Sequence, residues 1–278
     1  MAFTLAHPLA AVALRPLCRR GWLHFPALVA GSVAPDVGYL LGRMEFSDAA
    51  HTATGALTHA FPAAFLILSI FYLLRVPVFF TIPCPFRHFL MHCPSVRKAP
   101  TDPTALTKAC LSLLAGIVAH LLWDSFTQTD GWLVKSMPVL REPISIGSGF
   151  PLPLYTLLYH LTTGLGFLGL AFFSGRWLTA RLRLLGSWRG RYEGWRWYFW
   201  CLILAVPAVY ALAANWKHTA GSPHYLRYKW FSQNFLVDFV TMFITSLAMA
   251  SCMVYAAHRL RPPDSGDAGP GRVHEKEP

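Results

Sequence analysis

Long apolar segments separated by short basic loops dominate this chain. They cover residues 5–17, 24–42, 56–82, 106–126, 152–174, 197–214 and 235–257. Most of them reach the length of about 20 residues that a helix needs to cross a bilayer. The first segment is short for a full crossing, and we expect it to be tilted or partly embedded. The pattern predicts an all-α fold, a polytopic α-helical membrane protein with about six or seven membrane helices.

The composition excludes most other classes of protein. Hydrophobic residues make up 54% of the chain and charged residues only 13%, whereas about a quarter of a soluble domain is charged. The net charge of +11 could indicate nucleic-acid binding, but the basic residues lie in short loops between apolar segments, as the positive-inside rule predicts. We therefore expect membrane lipids and no nucleic acid as partners, while protein partners stay unknown. The six cysteines are scattered and form no disulfide framework.

Arginine in the loops predicts the orientation of the helices. The loop 175–196 holds six arginines against one acidic residue, and the loop 83–105 is also basic, whereas basic and acidic residues balance in 127–151. The two basic loops should therefore be cytoplasmic and 127–151 should lie on the other side. We expect one helical membrane domain over 1–258. The Pro-, Gly- and charge-rich residues 259–278 should form a disordered cytoplasmic tail.

His120 and Asp124 interrupt an apolar stretch, LSLLAGIVAHLLWDSFTQ, that carries no other charge. Four residues are about one helical turn, so the two side chains share one face of a helix. A carboxylate in hydrocarbon is costly and rarely occurs without a partner or a task. Imidazole and carboxylate one turn apart suit a divalent metal. We favour a ligand pair over the alternative, in which His120 only packs between helices.

Other polar residues lie near the same, outer end of the predicted helices. They are His7, Asp36, His51, His59, His160 and Asp238. Chance would scatter them between the two leaflets, so their convergence predicts a site. Asp36 follows a proline and His7 precedes one, and both suit a helix cap as well as a ligand. His51 suits a solvated loop, and the other three residues fit an outer ligand shell, a proton relay or simple packing.

Five motifs occur in the order FTLAHPLAAV, GSVAPDVGYLL, HTATG, LLAGIVAHLLWDSFT and LYHLTTGLG. In this order they resemble an uncharacterised bacterial membrane family, domain of unknown function 4184, over about residues 1–170. The H-P, P-D, H-T and H-x-x-x-D elements also resemble a broader group of inner-membrane metal-dependent hydrolases. The resemblance implies a multi-pass protein of the bacterial cytoplasmic (inner) membrane. It implies these metal ligands: His7, Asp36, His51, His120 and Asp124.

Three functions fit these observations. The first is a membrane-embedded metal-dependent hydrolase of lipid-like or phosphoester substrates, because His and Asp ligands without Cys suit Zn, Mn or Fe and a bound ion activates water. The second is a proton- or ion-coupled transporter, and the third is a non-catalytic scaffold whose polar residues lock helices together. Polar residues at one end of the membrane favour the hydrolase, since a transporter spreads them over the depth. Its candidate catalytic residues are Asp124, Asp36, His59 and His160.

The sequence CPFRHFLMHC offers a second, rival metal site in a predicted cytoplasmic loop. Its candidate ligands are Cys84, His88, His92 and Cys93. Their spacing is not that of a familiar zinc finger. We interpret the segment first as a basic, amphipathic loop that faces lipid.

Overall fold

The computed structural model describes residues 6–84, 86–91, 93–145, 151–184, 194–219 and 224–260, and most of these are helical. Their α-helices are α1 (Pro8–Ala13), α2 (Arg15–Arg19), α3 (Phe25–Val33), α4 (Val37–Leu40), α5 (Met44–Ala50), α6 (Ala53–Gly55), α7 (Phe61–Thr81), α8 (Phe86–Met91), α9 (Pro94–Arg97), α10 (Pro103–Ser125), α11 (Trp132–Ser136), α12 (Leu154–Leu184), α13 (Gly194–Thr219) and α14 (His224–Leu260). A π-helical turn, Ala56–Ala60, joins α6 to α7. Two short strands, β1 (Pro143–Ile144) and β2 (Leu152–Pro153), pair antiparallel, with Ile144 opposite Leu152.

Five helices among the described residues are long and apolar enough to cross a membrane. They are Ala53–Thr81, Pro103–Ser125, Leu154–Ala180, Gly194–Trp216 and Asn234–Leu260. These helices correspond to the last five predicted segments and make the chain a multi-pass membrane protein with a mostly all-α fold. The predicted count of six or seven is not confirmed, because the first two segments consist of short helices.

The first two predicted segments form a helical hairpin. One limb contains α1 and α2, and the other contains α3, a 3-10 turn (Ala34–Asp36) and α4. At the turn of the hairpin, the His24 amide donates to Ser112 Oγ at 2.7 Å, and the His24 ring lies 3.0 Å from the Tyr72 hydroxyl. Prolines explain the interruptions, because proline favours the first turn of a helix and breaks a helix interior. The prolines that begin new helical pieces are Pro8, Pro16, Pro26 and Pro35.

Two glycines bring α3 and α10 into close contact. A Cβ added at Gly31 would overlap the Leu113 carbonyl, and one added at Gly116 would overlap the Leu28 carbonyl. Small residues allow membrane helices to approach this closely. His120 lies one turn beyond Gly116, so the contact brings it beside the last residues of α3.

Several helices continue beyond the predicted apolar segments. α12 reaches Leu184, inside the predicted basic loop 175–196, and α14 extends through Leu260, inside the predicted tail. High hydropathy identifies only the part of a helix that lies in lipid. Arg, Leu and Ala have high helix propensity, so a helix can continue beyond the membrane where these residues follow. The rest of the predicted tail, 261–278, lies outside the described residues.

The membrane helices define two ends of the molecule. We call the end where α10 terminates, at Ser125, the upper end, and the end where α7 terminates, at Thr81, the lower end. The beginning of α13 lies at the lower end, since Arg196 Nε donates to the Phe80 carbonyl at 2.8 Å.

The first turns of α12 lie near the upper end, since Trp123 Nε1 donates to Thr162 Oγ1 at 3.3 Å. The last turns of α14 lie at the lower end, where the ring of Tyr255 contacts that of Phe80. Successive membrane helices therefore alternate in direction.

Candidate metal centre

Four side chains that could hold a metal ion meet at the upper end. Each contributes one ligand atom, and these atoms all lie within 4.8 Å of one another: Asp36, His51, His120 and Asp124. They come from the 3-10 turn after α3, the end of α5 and the last two turns of α10. The carboxylate of Asp36 and the imidazole of His120 are fully buried, whereas the side chain of His51 is 16% exposed.

Five of the six distances between these atoms resemble the edges of a tetrahedron, and the sixth, between the two carboxylate oxygens, is within 4.8 Å. His51 Nε2 lies 3.2 Å from Asp124 Oδ2 and 3.4 Å from Asp36 Oδ1. His120 Nε2 lies 3.2 Å and 3.6 Å from the same two oxygens, and the two Nε2 atoms are 3.2 Å apart. A tetrahedral ion with ligand bonds of about 2.0 Å has ligand-to-ligand edges of about 3.3 Å. The four atoms therefore fit around one divalent ion.

Backbone carbonyls fix the orientation of both imidazoles. His120 Nδ1 lies 2.8 Å from the Ser32 carbonyl oxygen, and His51 Nδ1 lies 2.7 Å from that of Ser47. A carbonyl only accepts, so each Nδ1 carries the hydrogen and donates it. In a neutral ring, Nε2 then presents its lone pair to the centre. In metal-binding histidines, the ring nitrogen that does not contact the metal typically donates a hydrogen bond of this kind.

The centre places like charge together in a buried position. Two carboxylates and two Nε2 lone pairs face one another, and such an arrangement is costly at membrane depth unless a positive charge offsets it. Protons on the imidazoles are one source of positive charge. Two protonated rings, however, would bring the N–H groups of His51 and His120 face to face at 3.2 Å, and one protonated ring would offset only one of the two carboxylate charges. A cation between the four atoms satisfies all of them at once.

Two further residues hold Asp124. Gln128 Nε2 donates to its Oδ2, and His7 Nε2 lies 3.1 Å from its Oδ1. The His7 ring also stacks on that of His120, with centroids 3.9 Å apart. His7 thus lies beside the four converging atoms and contacts the Asp124 oxygen that does not face His51. Gln128 was missed in the sequence, although its spacing of four residues from Asp124 is a recognisable signal.

The contacts of three residues bear on the alternative roles predicted for them. His7 and Asp36 precede helices, but neither side chain makes a capping hydrogen bond, so the capping alternative is wrong for both. His51 ends α5 and is mostly buried, so the solvated-loop alternative is also wrong. The side chains of all three residues point toward Asp124 or its neighbours.

Three other predicted polar residues make different contacts. His59 Nδ1 lies 2.8 Å from Thr58 Oγ1, and His160 is exposed on α12. Asp238 accepts a hydrogen bond from Asn215 Nδ2 at 2.8 Å, between α14 and α13. The structure therefore brings together five of the eight polar residues singled out at the outer end, and these three are not among them.

The rival cysteine–histidine segment lies at the lower end. Its His92 and the side chain of His88 lie outside what the structure describes. Cys84 and Cys93 are half-buried, and in the part of the chain that the structure describes neither belongs to a group of three or more metal-ligand atoms.

Comparison with known proteins identifies a family but no activity. The family model of a domain of unknown function, DUF4184, matches residues 1–255. No curated protein and no solved structure matches the chain, and the resemblance to hydrolases has no counterpart in these comparisons. Since the family model covers most of the chain, including every residue of the centre, the chain belongs to the DUF4184 family.

Proposed function

We propose that this member of the DUF4184 family is a membrane-embedded, metal-dependent hydrolase of lipid-like or phosphoester substrates. The proposal rests on the convergence of Asp36, His51, His120 and Asp124 with both Nε2 atoms directed inward. Zinc is the ion we favour over Mn and Fe, because the spacing is tetrahedral. A divalent ion in such a set acts as a Lewis acid and activates water toward esters and phosphoesters.

The exposed edge of His51 supports substrate access from one side. Its side chain is 16% exposed, whereas those of Asp124 and His120 are 5% and 0% exposed. The ring of Tyr39 lies beside it, with centroids 6.0 Å apart, and the Tyr39 hydroxyl donates to Asp48 Oδ1 at 2.6 Å. Burial, together with the hydrogen bond to the Asp48 carboxylate, raises the pKa of Tyr39, so the phenol keeps its proton. We propose that this phenol turns from Asp48 to orient a substrate oxygen.

A cavity lined by the residues that follow Asp36 supports a lipid-like substrate. Its volume is about 870 Å³, and Val37 and Gly38, which follow Asp36, form part of its wall. Polar groups of both charges are added by Arg43, Glu45, Thr58 and His59. Apolar walls with a few polar groups suit a ligand that has an acyl chain and a polar head. The apolar residues of its wall include Leu41, Phe46, Leu66, Ile67 and Ile70.

A structural metal is the second candidate function. Four protein ligands already complete a tetrahedral shell, and closed shells of this kind are typical of structural zinc sites. In that case the ion would tie the 3-10 turn and α5 to α10, and the protein would turn over no substrate.

Metal analysis and turnover distinguish these candidates. We expect about one divalent ion per detergent-purified wild-type chain and little in His120→Ala, because a ligand is lost. Generic phosphoester and lipid-ester substrates would then be tested with and without chelator, and we expect turnover that the chelator and His120→Ala both remove. A stoichiometric ion without turnover on any substrate would replace the hydrolase by the structural metal. Wild-type protein without metal would reject both and favour the transporter or the scaffold.

A further inference from the structure

A second cavity lies at the lower end, opposite the metal centre. Its volume is about 610 Å³. Its walls include the end of α7 at Phe80, the beginning of α13 at Trp195 and Arg196, and the last turns of α14 at Val254 and His258. All three helices are membrane spans, so the cavity lies where they leave the hydrocarbon.

Two arginines give this cavity a strong positive charge. Arg87 of α8 and Arg196 of α13 both line it, together with His258, and its described lining includes no Asp or Glu. Arg196 is only 3% exposed. A cleft lined by charge of one sign attracts ligands of the opposite sign, so an anion between the two guanidinium groups would offset their repulsion.

The protein holds the Arg196 guanidinium in a defined position. Its Nε donates to the Phe80 carbonyl at 2.8 Å. The guanidinium carbon lies 4.7 Å from the ring centroid of Trp195 and 5.2 Å from that of Phe80. A guanidinium fixed on aromatic faces presents a rigid fork of donors, and this fork matches the geometry of a phosphate group.

The remaining walls favour a lipid over a free anion. Phe80, Trp195, Val254 and Ala257 add apolar surface next to the cations, and inorganic phosphate would gain nothing from it. Tryptophan at the end of a membrane helix lies at the level of the lipid head groups. Basic pockets between membrane helices bind anionic head groups. The combination of charge and apolar surface matches a phosphate group that carries acyl chains.

We infer that this cavity binds the phosphate group of an anionic membrane lipid, held by Arg87 and Arg196. The site is independent of the metal centre, because the two share no residue and lie at opposite ends of the helices. It also gives a role to part of the basic CPFRHFLMHC segment, which contains Arg87.

Lipid retention by the full-length protein tests this inference. The protein would be purified in mild detergent, equilibrated with equal amounts of phosphatidylglycerol and phosphatidylcholine, and examined by native mass spectrometry. We expect wild type to retain phosphatidylglycerol selectively and Arg87→Gln to lower its affinity about fivefold. Arg176→Gln is the matched control, because Arg176 is exposed on α12 and lies outside the cavity; we expect no change.

The alternatives give different results. Equal retention of the two lipids by wild type, or equal losses in the two variants, would overturn the inference. In a second arm of the experiment, millimolar inorganic phosphate is added to the protein with bound lipid. Lipid that stays bound supports a lipid site. Displacement of the lipid would identify a site for free anions and overturn the inference. The wild-type comparison needs no variant, so it decides the matter even if size-exclusion chromatography shows that Arg87→Gln does not fold.

Discussion

The hydrogens on Nδ1 of His51 and His120 determine what the centre can bind. The carbonyls of Ser47 and Ser32 accept these hydrogens, so the only nitrogen left on each ring faces the carboxylates. Neutral rings in this state attract a cation and repel each other when no cation is present. The hydrogen bonds to the carbonyls of Ser47 and Ser32 therefore favour metal binding over a network of hydrogen bonds between neutral groups.

Asp124→Asn should keep the fold and weaken metal affinity by at least about tenfold. The amide is nearly the same size as the carboxylate, but it lacks the negative charge and can direct an NH₂ group at an imidazole lone pair. Metal titration of the purified protein measures the affinity. Asp130→Asn is the control, because the Asp130 side chain is 91% exposed and pairs with Lys135. Equal affinities in the two variants would contradict this assignment.

His7 is expected to orient Asp124 rather than to bind the metal. His7→Gln retains a donor that can reach Asp124 Oδ1, so its metal affinity should stay close to that of wild type. His7→Ala removes the donor and should lower the affinity about tenfold, as is typical of residues that hold a ligand. Metal titration of the two variants checks this. If His7→Gln lost the metal as completely as His120→Ala, His7 would be a ligand itself.

At the residue scale, the sequence predicted one part of the centre better than the other. The spacing of His120 and Asp124 on a helix was sufficient to pair them, and their common depth suggested Asp36 as a further ligand. His51 suited a solvated loop and was implied as a ligand only by the resemblance to the family. The carbonyls of Ser32 and Ser47 could not be predicted, because backbone acceptors leave no trace in residue type. Their positions depend on how α3 and α5 pack against α10.

At the scale of elements, the close contact between α3 and α10 positions the centre. Gly116→Ala should destabilise the protein by about 1–3 kcal/mol, since its Cβ would overlap the Leu28 carbonyl and crowd Ser32 N. The same shift would move the Ser32 carbonyl away from His120, so metal affinity should fall as well. Thermal unfolding in detergent and metal titration measure the two effects.

Gly164→Ala is the matched control for that prediction. Gly164 also lies in a membrane helix, but a Cβ added there meets no atom within 4 Å. Alanine favours a helix over glycine by up to about 1 kcal/mol, so this variant should be as stable as wild type or more so. A Gly116→Ala protein with an unchanged unfolding temperature would show that the contact is not needed.

The helical hairpin shows where apolar length misleads at this scale. Residues 24–42 are apolar enough for a membrane helix, but Pro35 divides them, because α3 ends at Val33 and a 3-10 turn follows. The local break places Asp36 in a 3-10 turn, where its side chain can face α10. Hydropathy averages over a window and cannot register such a break, whereas the proline itself indicates it.

At the scale of the whole molecule, the orientation in the membrane stays a prediction. The lower end carries the basic residues of the loop 83–105, so we expect it to be cytoplasmic and the metal centre to lie on the opposite side. Reporter fusions after Lys98 and Leu140 should therefore report opposite sides of the membrane. Fusions that report the same side would contradict the alternation of the helices.

The separation of the centre's residues along the chain has a consequence for biosynthesis. His51 and Asp124 are 73 residues apart, and ribosomes add about 5–20 residues per second. The amino-terminal hairpin and α5 are therefore made about 4–15 s before Asp124, near the end of α10, is added. Throughout that interval Asp36 and His51 are without their partners on α10, His120 and Asp124. The cluster can close only after Asp124 has been added, so its closure marks the packing of α5 and the hairpin against α10. A chain that stalls before Asp124 could not close the cluster.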